Sequence, residues 1–156
     1  MNTLAKTIAT GFGSGYLPVA PGTRGAALAT LTIYLIATFV SQGDQLNFWL
    51  IGLSVVFSVL GIWSANVLQD EWGHDPGKIV VDEMVGIWIS MIFIPFTMIN
   101  LLLAFGLFRL YDIWKPWIVK KAESLDGGLG VMADDIVAGV FANVSIQFIL
   151  VVSKYF

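Results

Sequence analysis

The acidic side chains of this 156-residue sequence fall in a pattern that could do chemistry. Asp82 and Glu83 are adjacent, as are Asp134 and Asp135, and each pair stands at the edge of a long apolar stretch. A carboxylate at a helix start accepts backbone N–H bonds and suits the helix dipole, so capping accounts for one member of each pair. It does not account for the doubling, because every further carboxylate at a membrane boundary is costly to desolvate. Clustered carboxylates without His or Cys form the oxygen-only ligand set that a hard cation such as Mg²⁺ takes. The sequence has no cysteine and a single histidine, His74, read here as an exposed loop residue. Disulfides, thiolate zinc sites, cysteine nucleophiles and His-rich metal centres are thereby excluded.

Two further stretches carry polar chemistry. In Arg109-Leu-Tyr-Asp112-Ile-Trp-Lys115-Pro116-Trp117, helical spacing puts Arg109, Asp112 and Lys115 or Pro116 on one face. Tyr111, Trp114 and Trp117 suit an interfacial aromatic belt. The remaining Arg–Asp–Lys stripe could hold an anion while sharing a metal ligand. The stretch GFGSGYLPVAPGTRG, residues 11–25, has five glycines, two prolines, Ser14, Thr23 and Arg24. Backbone N–H groups freed by glycine can approach a phosphate, and Thr23 is a plausible N-cap for the helix that follows. Taken alone, the loop is better explained as a structural turn, and it is no Walker loop. Residues 126–130, DGGLG, read as a flexible connection into Asp134. Together the carboxylates, the cations and the glycine amides suit phosphoryl transfer or phosphate hydrolysis on a lipid.

These groups need elements to position them, and the composition says where those lie. Apolar residues make up 57% and charged residues 12%, against roughly 45–50% and 25% in soluble domains. Nineteen charges cannot cover a soluble surface of this size, so the chain belongs in a bilayer. A net charge of −3 also leaves no basic surface for nucleic acid. Charge-free stretches cover residues 26–38, 46–68, 84–108 and 136–153. A helix needs about 20 apolar residues to cross a hydrocarbon core of roughly 30 Å. The second and fourth stretches qualify directly, and the first does so with Arg24 at the interface.

The N-terminus lacks a signal-peptide pattern, since Lys6 leads into the Gly/Pro-rich stretch. No repeat or linker divides the chain, so residues 1–156 are read as one domain. Lys and Arg concentrate before residue 26, in 69–83 and in 109–135, and are absent from 41–45. The positive-inside rule puts the first three on the cytoplasmic side. Residues 84–108 must then leave and return on one face, and Pro95 sits near their midpoint. The expected fold is all-α: about three full spans plus a re-entrant hairpin centred on Pro95. One kinked span is the alternative, and it would put the second and third polar loops on opposite faces.

Absent motifs narrow the chemistry. A Cys–Arg phosphatase and a two-histidine lipid phosphatase are excluded, and no Asp-x-Asp supports an aspartyl-phosphate mechanism. A CDP-alcohol phosphotransferase fails because Asp126-Gly-Gly-Leu is followed by Gly-Val and not Ala-Arg. A non-catalytic ion pathway or assembly subunit leaves the glycine loop and the Arg–Asp–Lys stripe without a reason.

GFGSGYLPVAPGTRGA, DPGKIVVDEMVGIW, FRLYDIWKPW and GGLGVMADDIVAGVFAN, in that order, resemble the motif series of the phosphatidylglycerophosphatase A family across roughly residues 11–143. Family members often carry an aromatic residue in the Pro-Gly-Thr-x-Gly motif, where this chain has Arg24. The resemblance implies an Mg²⁺-dependent, all-helical bacterial inner-membrane enzyme. Its phospholipid substrate would be phosphatidylglycerophosphate, losing its terminal phosphate on the cytoplasmic face. Carried over residue by residue, it implies Asp82, Glu83, Asp112, Asp134 and Asp135 as the acidic centre. Metal ligands are expected among Asp82, Glu83, Asp112 and Asp135. Gly22, Thr23, Lys78, Arg109 and Lys115 are the expected phosphate-binding groups. Which carboxylate activates water, and the oligomeric state, stay open.

Overall fold

The computed structural model describes residues 2–40, 43–73 and 76–155. His74 and Asp75, and with them the expected exposure of His74, lie outside the described residues, as do Ser41 and Gln42 of the short second loop. The described chain is helical: α1 (Thr3–Ala9), α2 (Pro21–Leu35, extended by π-helical turns over Ile36–Val40), α3 (Asp44–Trp72), α4 (Val81–Ser90), α5 (Met98–Trp114), α6 (Trp117–Glu123) and α7 (Gly127–Val152).

Among the described residues, three helices are long and apolar enough to cross a membrane: Pro21–Val40, Asp44–Trp72 and Gly127–Val152. They leave large apolar side chains on their outer faces, among them Phe39, Phe48, Trp49, Val55, Val59 and Phe148. This is the surface a bilayer covers, and the charge-poor composition requires it. Residues 84–108 fold into α4 and α5, joined by a turn that contains Pro95. At 1.5 Å per residue α4 is about 15 Å long and α5 about 25 Å, so neither crosses alone. The start of α4 and the end of α5 meet, with Glu83 and Arg109 3.9 Å apart. The segment therefore leaves and returns at one end of the bundle, as the hairpin reading expected, and the kinked-span alternative is not adopted.

Polar groups hold the hairpin apex. The Asn143 side-chain amide on α7 donates to the carbonyls of Ile89, Ser90 and Ile92 at 2.8–3.2 Å. These carbonyls close α4, and a helix end inside a membrane needs such partners. The Phe93 amide, at φ +60°, donates to Asn47 of α3 at 2.7 Å. Thr97 caps α5 by accepting from the Asn100 amide at 3.0 Å. Below the apex, α4 lies directly on α7. A Cβ at Gly139 would stand 2.4 Å from the Gly86 carbonyl, so only glycine permits this crossing. The small residues Ala138, Gly139 and Ala142 are thus used for packing within the chain, and Phe108 fills the space beside Gly86.

Three local expectations are corrected. Helix α7 begins at Gly127, not near 136. The DGGLG stretch is therefore its first turn and no flexible connection; Gly128 sits against the Ile62 carbonyl and donates to Asn66. Asp134 and Asp135 consequently lie inside α7 and cap nothing. Helix α2 starts at Pro21 behind Ala20, which places Thr23 in the first turn and not at the cap. Helix α5 ends at Trp114, and Lys115 takes a left-handed conformation at φ +46°, so it leaves the Arg109–Asp112 face.

Candidate active site

The three polar stretches meet at one end of the bundle. Lys6 of α1 pairs with Glu71 at the end of α3. The glycine loop packs on the stretch before α4, where Cβ atoms at Gly15 and Gly25 would strike the carbonyls of Lys78 and Val80. Most of this loop is therefore a packing device. Gly22 is different: a Cβ there would lie 2.1 Å from Glu83 Oε1 and 3.2 Å from Arg109 Nη1. It brings the backbone of the first turn of α2 against the polar cluster. The first N–H groups of a helix have no acceptor within it, so this turn presents free donors.

Asp82 and Glu83 stand in the first turn of α4, at the positive end of its dipole. Asp135 reaches them from the third turn of α7, about 12 Å in from that helix's start. Carboxylate oxygens of Asp82, Glu83 and Asp135 lie within 4.8 Å of one another. Asp82 and Asp135 are 5% and 4% exposed, so bulk water cannot screen their charges. Asp112 comes within hydrogen-bonding reach of Asp135 and binds Arg109 through Nη1. Asp82 itself accepts from the Glu83 amide at 3.0 Å.

Four carboxylates around one guanidinium form a net-negative pocket. A bound cation would offset the repulsion among carboxylates at this spacing. Glu83 Oε2 and Asp135 Oδ1 are buried and accept no hydrogen bond, and Arg109 Nε is buried and donates none. Unused acceptors on one side and an unused charged donor on the other fit a hard cation facing a phosphate.

Asp134 and Lys115 form a separate, adjoining network. Lys115 donates to Asp134 at 2.9 Å and to Glu123 at 2.5 Å. Burial alone would lower the Lys115 pKa, but the two carboxylates outweigh it and raise the pKa above its ordinary value. Lys78 lies 5.5 Å from the Trp72 ring centroid, outside the carboxylate cluster. Thr23 is half-buried in the first turn of α2.

Of the expected site residues, the fold thus brings together Gly22, Asp82, Glu83, Arg109, Asp112 and Asp135. It keeps Asp134 with Lys115 beside them and Lys78 apart. Residues that the sequence did not single out hold this arrangement: Glu123 fixes Lys115, Asn66 fixes the start of α7, and Asn143 fixes α4. Their partners lie across a proline turn or on another helix, beyond the reach of local spacing. Tyr111 was expected in an aromatic belt; its hydroxyl shares a hydrogen bond with Ser145 at 2.8 Å, while Trp114 and Trp117 are exposed.

Comparison with known proteins identifies the family. The sequence profile of the family described as "Phosphatidylglycerophosphatase A" matches residues 7–150. A protein of Bacteroides thetaiotaomicron named "Putative phosphatidylinositol-3-phosphatase" is 46% identical, over 92% of this chain and 91% of its own length. Proteins named "Phosphatidylglycerophosphatase A" from Escherichia coli and Haemophilus influenzae are 37% and 36% identical. They cover 91% and 86% of this chain, and 81% and 82% of their own lengths. No solved structure matches. With the family's sequence pattern spanning nearly the whole chain, and its motifs converging on one buried cluster of carboxylates and arginine, the chain belongs to the phosphatidylglycerophosphatase A family and is a membrane phosphatase.

Proposed function

We propose that the protein hydrolyses the terminal phosphate of phosphatidylglycerophosphate, giving phosphatidylglycerol and inorganic phosphate, with Mg²⁺ as cofactor. The observation that carries this reading is the convergence of Asp82, Glu83 and Asp135 within 4.8 Å, beside an arginine with a buried, unused Nε. Asp82, Glu83 and Asp135 would hold the cation, with Asp112 as a fourth candidate. The chemistry supplied there is neutralisation of charge on the phosphoryl oxygens.

The chain's own groups do the rest. Arg109 donates to a phosphoryl oxygen and is held in place by Asp112. The amides of Gly22 and Thr23, in the helix turn packed against Glu83 and Arg109, orient the phosphate. Water attacks phosphorus in line and loses a proton to a carboxylate of the cluster. The ester oxygen leaves with the P–O bond electrons and takes a proton, which releases the lipid alcohol. Lys115 places a cation next to this net-negative pocket, where it balances Asp134.

The site end carries the basic stretches, so the positive-inside rule supports a cytoplasmic active site in the bacterial inner membrane. Cysteines placed at Asp70 and Lys121, both exposed, should then label from the cytoplasmic side. Labelling of the two from opposite sides refutes the single-face arrangement.

A second reading is favoured by the 46% identical relative: the phosphomonoester hydrolysed is that of phosphatidylinositol 3-phosphate. Both substrates share a phosphate monoester on a phospholipid headgroup. The test is phosphate release from each lipid by detergent-purified protein, with Mg²⁺ and with excess EDTA. Release from phosphatidylglycerophosphate that EDTA abolishes and Mg²⁺ restores supports the proposal. A clear preference for the inositol lipid selects the second reading. EDTA-insensitive release refutes the metal, and no release from either lipid by folded protein refutes both substrates.

A further inference from the structure

Helix α5 carries a feature that the hydrolytic site does not use. Gly106, Arg109, Leu110, Ile113 and Trp114 line a shallow, open groove along its outer face. Its walls are apolar and exposed, with Leu110, Ile113 and Trp114 at 52%, 71% and 69%. Leu102, one turn before Gly106, continues the same stripe and is also exposed. Gly106 is a notch in that stripe: a Cβ there would meet nothing within 4 Å. It is therefore not a packing glycine of the Gly86 or Gly139 kind, and in mid-helix it costs about 1 kcal/mol relative to alanine.

One wall residue ties the groove to the site. Arg109 lines the groove, while its guanidinium contacts Asp112 and lies 3.9 Å from Glu83. From Arg109, whose guanidinium faces the carboxylate pocket, the Gly106 end of the groove continues past Leu102 toward the hairpin apex and the bilayer interior, while Leu110, Ile113 and Trp114 line its other end, toward the membrane surface. A phospholipid monoester has that polarity, with an anionic phosphate joined to acyl chains.

We propose that this groove is the acyl-chain subsite, through which the substrate enters sideways from the membrane: one chain of the lipid lies over the notch at Gly106, and its phosphate passes Arg109 into the pocket. The proposal rests on the lipid-phosphatase reading above and adds the route and the specificity element for the chains.

The test compares kcat/KM for a long-chain and a dihexanoyl form of the same phosphatidylglycerophosphate, in mixed micelles of fixed composition. Gly106→Leu fills the notch and improves helix propensity, so the fold is retained. It should lower the long-chain to short-chain kcat/KM ratio about ten-fold, the equivalent of about two methylenes of lost contact. Leu102→Ala removes contact beyond the notch without blocking it and should lower the ratio in the same direction by a smaller factor. An unmoved ratio in both variants, with wild type active on both lipids, shows ordinary bilayer lipid in the groove and overturns the subsite. A change in oligomeric mass with Gly106→Leu, with no change in ratio, identifies a second copy of the chain as occupant and also overturns it. Wild type inactive on both chain lengths overturns the phosphatase reading, and the subsite with it.

Discussion

Replacing Gly22 with alanine tests the site's geometry with a single methyl group. The new Cβ would stand 2.1 Å from Glu83 Oε1, whereas Cβ contacts under 3.0 Å are essentially never seen. One of the two must retreat, and the flexible end of Glu83 yields more readily than the backbone of α2. The carboxylate therefore moves about 1 Å out of the cluster, a misplacement that can cost on the order of 100-fold in rate. That corresponds to about 2.7 kcal/mol of barrier. Stability should not fall with it, because alanine is the better helix former. The expected result is phosphate release reduced about 100-fold, with an unchanged thermal transition in detergent. Gly52→Ala, on an open face of α3 where a Cβ meets nothing within 4 Å, is the matched control and should keep wild-type activity. Gly22→Ala protein with activity close to wild type would show that Glu83 has no part in the chemistry. An equal loss in Gly52→Ala would refute the steric argument.

Asp82→Asn, Asp112→Asn and Asp135→Asn should each remove most phosphate release while the protein stays folded, because each keeps shape and loses charge; full activity in any one removes that residue from the centre. Asn143→Ala frees the carbonyls of Ile89, Ser90 and Ile92 and should destabilise by about 1–3 kcal/mol, read as a lower thermal transition; an unchanged transition would show that the apex holds without it. Lys115 has a raised pKa in the folded state, so its stabilising contribution is complete below the unfolded value of about 10.4 and drains away as pH rises beyond it. The gap in thermal transition between wild type and Lys115→Gln should accordingly stay constant through neutral pH and narrow only in alkali. Narrowing near neutrality would mean that another group governs it.

Much of the architecture is legible in the residues because a bilayer imposes one-dimensional rules. Charge-free runs near residues 26–38, 46–68 and 136–153 could only be spans. Pro95, with Lys and Arg on both sides of a 25-residue apolar run, pointed to a run that turns back, with one kinked span as the alternative. The helix ends were less legible. Glycines at 127, 128 and 130 read as a loop, yet they form the first turn of α7 because Gly128 and Gly130 must pass close to backbone carbonyls of Ile62 and Leu125.

By itself the sequence determined the solvent, the all-helical class and the inventory of carboxylates and cations, since these follow from composition and from hydropathy along the chain. Only the tertiary structure decided which of them work together. Asp134 and Asp135 are neighbours in sequence, but within a helix successive side chains point about 100° apart. One therefore meets Lys115, and the other meets Asp82, Glu83 and Asp112. Among five glycines in one loop, only the crossing of α2 over α4 set Gly22 against Glu83. Such pairings depend on how helices far apart in sequence rotate and cross, a property that no local spacing carries.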